Sequence, residues 1–217
     1  MDNRITKERI INKLSYDWLK YIGVLLAIII FWVGVFQWRF RIKRNEEIIL
    51  FTSANNIVAE EGKEMESYLL PYGIRRVTYT FYPREEQNYK SILQLKGLGE
   101  ADLLILSGAD LAELDCARYF IALDDALISN YVQEERWEYY QTGEVSYGIM
   151  IYQHSSSDYN DGLNFCKWIH FGQEQDYFLL INGLSPNVGE YAFSAKGKGK
   201  SSTALYAFKF LLNEYSE

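Results

Sequence analysis

The pattern of apolar and polar positions divides the chain into two unlike parts. From Tyr21 to Trp38 it runs 18 residues without a charge, YIGVLLAIIIFWVGVFQW, and apolar side chains fall on every side of the helix this stretch would form. At about 1.5 Å per residue, a helix over 18–38 matches a hydrocarbon core of about 30 Å. Trp18, Tyr21 and Trp38 mark its ends, where amphipathic rings prefer the headgroup level, and Lys20 is close enough to an end to snorkel. A signal peptide is the alternative, but the run is too long and leads into RFRIKR rather than a small-residue cleavage site. No Cys follows to take a lipid anchor. The expected organisation is a polar tail over 1–17, a membrane helix over 18–38, a basic linker over 39–46 and one domain over 47–217.

Beyond the linker, apolar runs of strand length alternate with helical periodicity. IILFT (48–52) reads as a strand ending in SANN, and a helix is expected over about 55–70, closed by PYG. Val77, Tyr79 and Phe81 alternate with Thr78, Thr80 and Tyr82, a period-two strand stopped by Pro83. REEQNYKSILQLKGLG (84–99) reads as a helix closed by glycine, and a third strand follows over 102–107. Strand, helix, strand, helix, strand implies parallel βαβ units, so the fold class is α/β with a mainly parallel sheet and flanking helices. Later in the chain, EERWEYYQTG reads as helical, 144–153 and 176–182 as strands, and 202–215 as an amphipathic helix with Leu205, Phe208, Leu212 and Tyr215 on one side.

Charge sharpens the division. Residues 1–44 hold nine Lys or Arg against three Asp or Glu, a net of +6, and the remainder carries −13 of the total −7. An acidic domain repels nucleic acid, which is therefore not an expected partner. Basic residues lie on both sides of the apolar run, so charge alone does not orient it. Cys116 and Cys166 stand 50 residues apart, match no metal or redox spacing, and are expected as buried free thiols rather than a disulfide.

Sequence motifs offer little chemistry. GKGKS at 197–201 imitates a phosphate-binding loop, but Ser194 occupies the position that needs glycine. His154, Asp158 and Asp161 share a polar loop whose spacing fits no calcium site. His170, between Trp168 and Phe171, is expected to pack. No nucleophile elbow or zinc helix occurs, and no metal, cofactor or catalytic residue is expected. What remains is positional. In open α/β sheets ligands sit beyond the carboxyl ends of the strands, and two exits there carry polar residues: Ser53, Asn55 and Asn56 in one, and Ser107, Gly108 and Asp110 in the other. Ser107 with Asp110 also forms a relative of the capping box, with Gly108 easing the turn.

Three segments resemble extracytoplasmic solute-binding proteins of ABC importers, which have the type II periplasmic-binding-protein fold. EADLLILSGADLAELDCARYFIALDD (100–125) resembles that family's strand and helix leading to PLDD, with Ala122 where Pro is usual. TGEVSYGIMIYQ (142–153) is similar to its DGKIYGIPIY, with Met150 in place of Pro, and LSPNVGEYAFSAKGKGKSSTALYAFKFLL resembles a later segment. The resemblance implies a two-lobed fold that closes over a solute. With about 170 residues in the domain, it implies here a single lobe or one lobe with a vestige. It also implies an N-terminus in the cytoplasm and a domain outside the cell, anchored by one span. The function so implied is a binding or interaction module, using Ser53, Asn55, Asn56, Ser107, Gly108, Asp110 and Tyr147. It would act beside an ABC transporter permease or another envelope protein. The alternative is a receptor for a carbohydrate-like small solute, completed by a second subunit. A third is an enzyme working through carboxylates such as Asp110, Asp124 and Asp125.

Overall fold

A computed structural model describes residues 7–54, 56–57, 62–124, 127, 137–154, 169–170, 175–193 and 202–213. They fall into two compact units, Met1–Ile42 and Lys43–Glu217. The first unit is one helix, α1 (Lys7–Phe40), which begins within the expected polar tail. Its stretch Trp18–Gln37 is long and apolar enough to cross a membrane, and none of it is buried.

The second unit is α/β. Its strands are β1 (Glu47–Thr52), β2 (Asn56–Ile57), β3 (Arg76–Phe81), β4 (Leu103–Ser107), β5 (Tyr139–Thr142), β6 (Val145–Tyr152), β7 (Ile169–His170) and β8 (Tyr177–Ile181). Its helices are α2 (Gly62–Leu69), α3 (Tyr89–Ile92, extended by a wider turn over Leu93–Leu98), α4 (Gly108–Ala112), α5 (Cys116–Tyr119) and α6 (Thr203–Asn213). Six strands form one open sheet in the order β3-β1-β4-β8-β6-β5, and β2 pairs with β7.

The first three strands of this sheet are parallel, as their alternation with helices requires. The rest of the sheet is not: β4–β8, β8–β6 and β6–β5 are all antiparallel. The sheet is therefore mixed, which corrects the expectation of a mainly parallel one. The segment expected as a helix from 134 supplies one reason. Tyr139–Thr142 is instead the first arm of a hairpin with β6, turned through Gly143 at φ 65°. A two-residue turn with glycine first is a standard hairpin connection. Near 55–70 the helix begins at Gly62, and Asn56–Ile57 pair as a strand with His170 and Ile169.

Alternate residues of the central strands enter two separate cores. Ile48, Leu50, Leu103, Ile105, Leu179 and Ile181 face one side, packed with Met65 and Leu69 of α2 and Leu205, Phe208, Leu211 and Leu212 of α6. Phe51, Leu104, Leu106, Phe178 and Leu180 face the other, with Tyr89, Leu93, Leu111 and Cys116. Every residue of β4 and β8 is buried for this reason: strands covered on both faces read as unbroken apolar runs. The two parallel crossovers also explain the layering. β1 to β3 and β3 to β4 travel in opposite directions across the sheet, so two connections of the same right hand must use opposite faces. Accordingly α2 lies on the first core and α3 on the second.

Candidate functional site

Strands β1 and β4 are neighbours, but their exits diverge. The chain leaving β1 goes by α2 to β3, and the chain leaving β4 enters α4 on the other face. That is a topological switch point, the place where an open α/β sheet leaves a crevice. Pairing registers bring the end of β6 and the start of β8 to the same edge.

Ser53, directly after β1, donates its N–H to the Ile105 carbonyl at 3.0 Å, and its side chain is buried. Ser107 caps α4. Its Oγ accepts from the Asp110 N–H at 3.2 Å, and its own N–H and hydroxyl donate to Asp110 Oδ2 at 3.3 and 2.8 Å. Both residues are almost wholly buried. The capping relation expected from sequence is thus made by real contacts. Gly108 donates its N–H to the Asp176 carbonyl at 3.0 Å, while Asp176 Oδ1 accepts from the His154 N–H at 2.9 Å. The turn does not depend on Gly108 being glycine: its φ is not positive, and an added Cβ would meet only Phe178 at 3.5 Å.

Ser53, Ser107, Gly108 and Asp110 therefore share the edge. Asn56 lies in β2, and Asn55 lies outside the described residues. Tyr147 is elsewhere. A register shift gives β6 an extra residue opposite Tyr140 and Gln141, and such a bulge re-aims side chains. Tyr147 consequently packs into the second core, on the opposite side from Ile149. It sits at the level of Gly148 and Leu180, toward the other end of the strands from Ser107.

The exit of β3 adds residues that sequence analysis did not single out. Arg84 follows Pro83, and its Nε lies 3.5 Å from Asp110 Oδ1, so the pair reaches across the end of β1. Its Nη2 contacts Glu113 Oε1 at 3.0 Å, and Lys90 Nζ holds Glu113 Oε2 at 2.7 Å. The hydrogen bond and positive charge of Lys90 draw the Glu113 carboxyl below its ordinary range. Beneath lies Tyr89, 4 % exposed, with its hydroxyl beside the Asp110 and Ser53 side chains. Burial, and then the nearby Asp110 carboxylate, push its phenol far above the usual range. Tyr177 is raised in the same way, by burial first and then by Asp110 and Glu85. The signal for Arg84 was present in sequence: it too follows a strand and a breaker. A depression of about 280 Å³ opens beside it, lined by Arg84 and residues 86–91.

Chemically the edge offers hydrogen-bond donors and acceptors in a balanced set of charges. Among the described residues no group of three His, Cys, Asp or Glu side chains could hold a metal. Asp158, Asp161, Cys166 and the GKGKS segment lie outside the described residues, as does Asp125; Cys116 is a buried free thiol whose pKa burial raises. No family model matches the chain, and no curated protein or solved structure matches it.

Proposed function

We propose that the protein is a membrane-anchored binding module. α1 serves as the anchor, and the acidic α/β domain stands outside the cell and presents its strand-exit edge to a ligand or partner. The observation that carries this proposal is the divergence of the β1 and β4 exits, where the Arg84–Asp110 pair reaches across the end of β1 beside the buried Ser53 and Ser107. A single six-stranded sheet, with no second sheet of comparable size among the described residues, supports one lobe of a solute-binding architecture rather than two jaws. An open face of that kind suits a transporter permease or another envelope protein as partner. The same face would serve a solute receptor completed by a second subunit.

The test uses cells expressing the full chain. It should stay in the membrane fraction through alkaline carbonate washing, and protease added to intact cells should remove the domain. Release by carbonate would overturn the anchor. A domain digested only after lysis would place it inside and overturn the topology.

A further inference from the structure

Taking α1 as a membrane anchor, as above, we propose that the edge of the sheet opposite the strand exits rests on the phospholipid surface that the anchor enters. This is the edge where the chain joins the domain. Two residues, Arg41 and Ile42, separate the end of α1 from Lys43, whose carbonyl accepts from the Glu46 N–H at 2.8 Å. That much chain reaches at most about 11 Å. Arg44 then fastens the entry to the middle of the edge, through Asp102 and the Glu100 carbonyl.

Exposed apolar side chains gather on that edge. The described part of the domain has seven large ones, and five lie there: Leu70, Tyr72, Val145, Leu184 and Phe193. The topology places them. Leu70 and Tyr72 lead from α2 toward β3, just before Arg75, whose N–H donates to the Glu46 carbonyl. Val145 opens β6 beside the hairpin turn, and β6 runs against β8. Leu184 follows the end of β8, and the Phe193 N–H donates to the Gly183 carbonyl at 2.8 Å. In the order β3-β1-β4-β8-β6-β5 they flank the Arg44 entry on both sides. Leu95 lies on the helical segment leading into β4, and only Phe81 stands at the strand exits. Apolar groups spread across an edge suit a flat partner, and aromatic and aliphatic side chains enter the bilayer interface favourably. Charge permits the contact although the domain is acidic. Arg44 with Asp102, Arg75 with Glu46, Arg76 with Glu47 and Lys96 with Glu100 are paired along this edge. A bilayer, unlike a protein partner, is delivered to the edge by the chain itself.

The experiment uses the full chain, methyl-labelled at Leu and Val, at one copy per phosphatidylcholine nanodisc with gadolinium chelates on a fraction of the headgroups. A five-residue strand spans about 17 Å and the metal's relaxation of a methyl group falls with the sixth power of distance, so Leu70, Val145 and Leu184 should relax at least ~10-fold faster than Leu111 beside the strand exits. Leu70→Asp combined with Leu184→Asp should reduce the relaxation at Val145 severalfold. Because both sites are exposed, Tm should stay within about 2 °C. Leu70→Asp alone gives the same reading, in smaller measure, if the double variant does not fold. Relaxation equal at Leu70 and Leu111, or stronger at Leu111, would overturn the assignment. So would relaxation at Val145 that these substitutions leave unchanged, since the short linker alone would then hold the edge near the lipid. Weak edge relaxation together with dimers in detergent would give the face to a second copy, which overturns it too. Failure of the anchor would appear instead as release by carbonate, so the two readings fail separately.

Discussion

Arg44 and Asp102 form a two-pronged ion pair at the start of the sheet. Nη1 lies 2.9 Å from Asp102 Oδ2 and Nη2 lies 2.8 Å from Oδ1. The Asp102 side chain is wholly buried and Arg44 about one-third exposed. The carboxylate also accepts from the Ile49 N–H at 2.7 Å, from Asn187 Nδ2 at 3.1 Å and from the Ser185 hydroxyl. Burial pushes the Asp102 carboxyl up against the pull of Arg44, Ser185 and the Ile49 N–H. Removing one partner of a buried pair leaves an uncompensated charge and typically costs 3–5 kcal/mol. Because water reaches Arg44, Arg44→Ala should cost about 3 kcal/mol in denaturant unfolding. Arg44→Lys should recover only part of this, since a single ammonium cannot replace the fork. Equal stability of Arg44→Ala and the parent chain would show that the pair contributes nothing.

The Ser107 cap should be worth about 1 kcal/mol, the usual loss when a capping Ser becomes Ala. Ser107→Ala and Asp110→Ala remove the same reciprocal contacts, so the double variant should lose less than the sum of the two single changes. Additive losses in a double-mutant cycle would mean that the two side chains act independently.

Two glycines in similar-looking positions should respond oppositely to alanine. Gly143 turns the β5–β6 hairpin at φ 65° with nothing near its would-be Cβ, so Gly143→Ala should cost about 1 kcal/mol of backbone strain alone. Gly108 is helical and uncrowded. Gly108→Ala should be neutral or stabilise by up to about 0.5 kcal/mol. Thermal unfolding of the two variants side by side measures both.

Alkaline pH should unfold the domain through its buried phenols. Tyr89 and Tyr177 have folded pKa values raised above the ordinary 10.0. A raised folded value means the stability is fully present below pH 10 and declines as pH climbs from there toward the folded value. Absorbance at 295 nm should therefore show these two ionising only as the fold is lost, and Tyr89→Phe should shallow the alkaline decline. Free titration of all the tyrosines near pH 10 in folded protein would contradict this.

Local patterns made much of this legible. Apolar composition alone marks Trp18–Gln37, with Lys20 near one end as its single charge, as long and apolar enough for a bilayer. Five strands of the main sheet stand within a residue or so of where alternation or aliphatic runs put them, and Ser107 with Asp110 cap as their spacing indicates. Where pattern failed, the competing physics was long-range. Tyr139–Thr142 is strand because β6 offers it a partner, although the sequence EERWEYYQTG around it fits a helix equally well. Arg44 read as one more basic linker residue because its partner is 58 positions away.

By itself the sequence determined which segments are apolar, how they alternate and where their ends are capped, since propensity, capping and turn chemistry act within a few residues. Only the tertiary structure decided that β8, β6 and β5 run antiparallel, that a bulge turns Tyr147 into the second core, and that Arg84, Tyr89 and Asp110 meet above the end of β1. Strand direction and side-chain meeting depend on which distant surfaces bury each other, and burial across a sheet has no local signature.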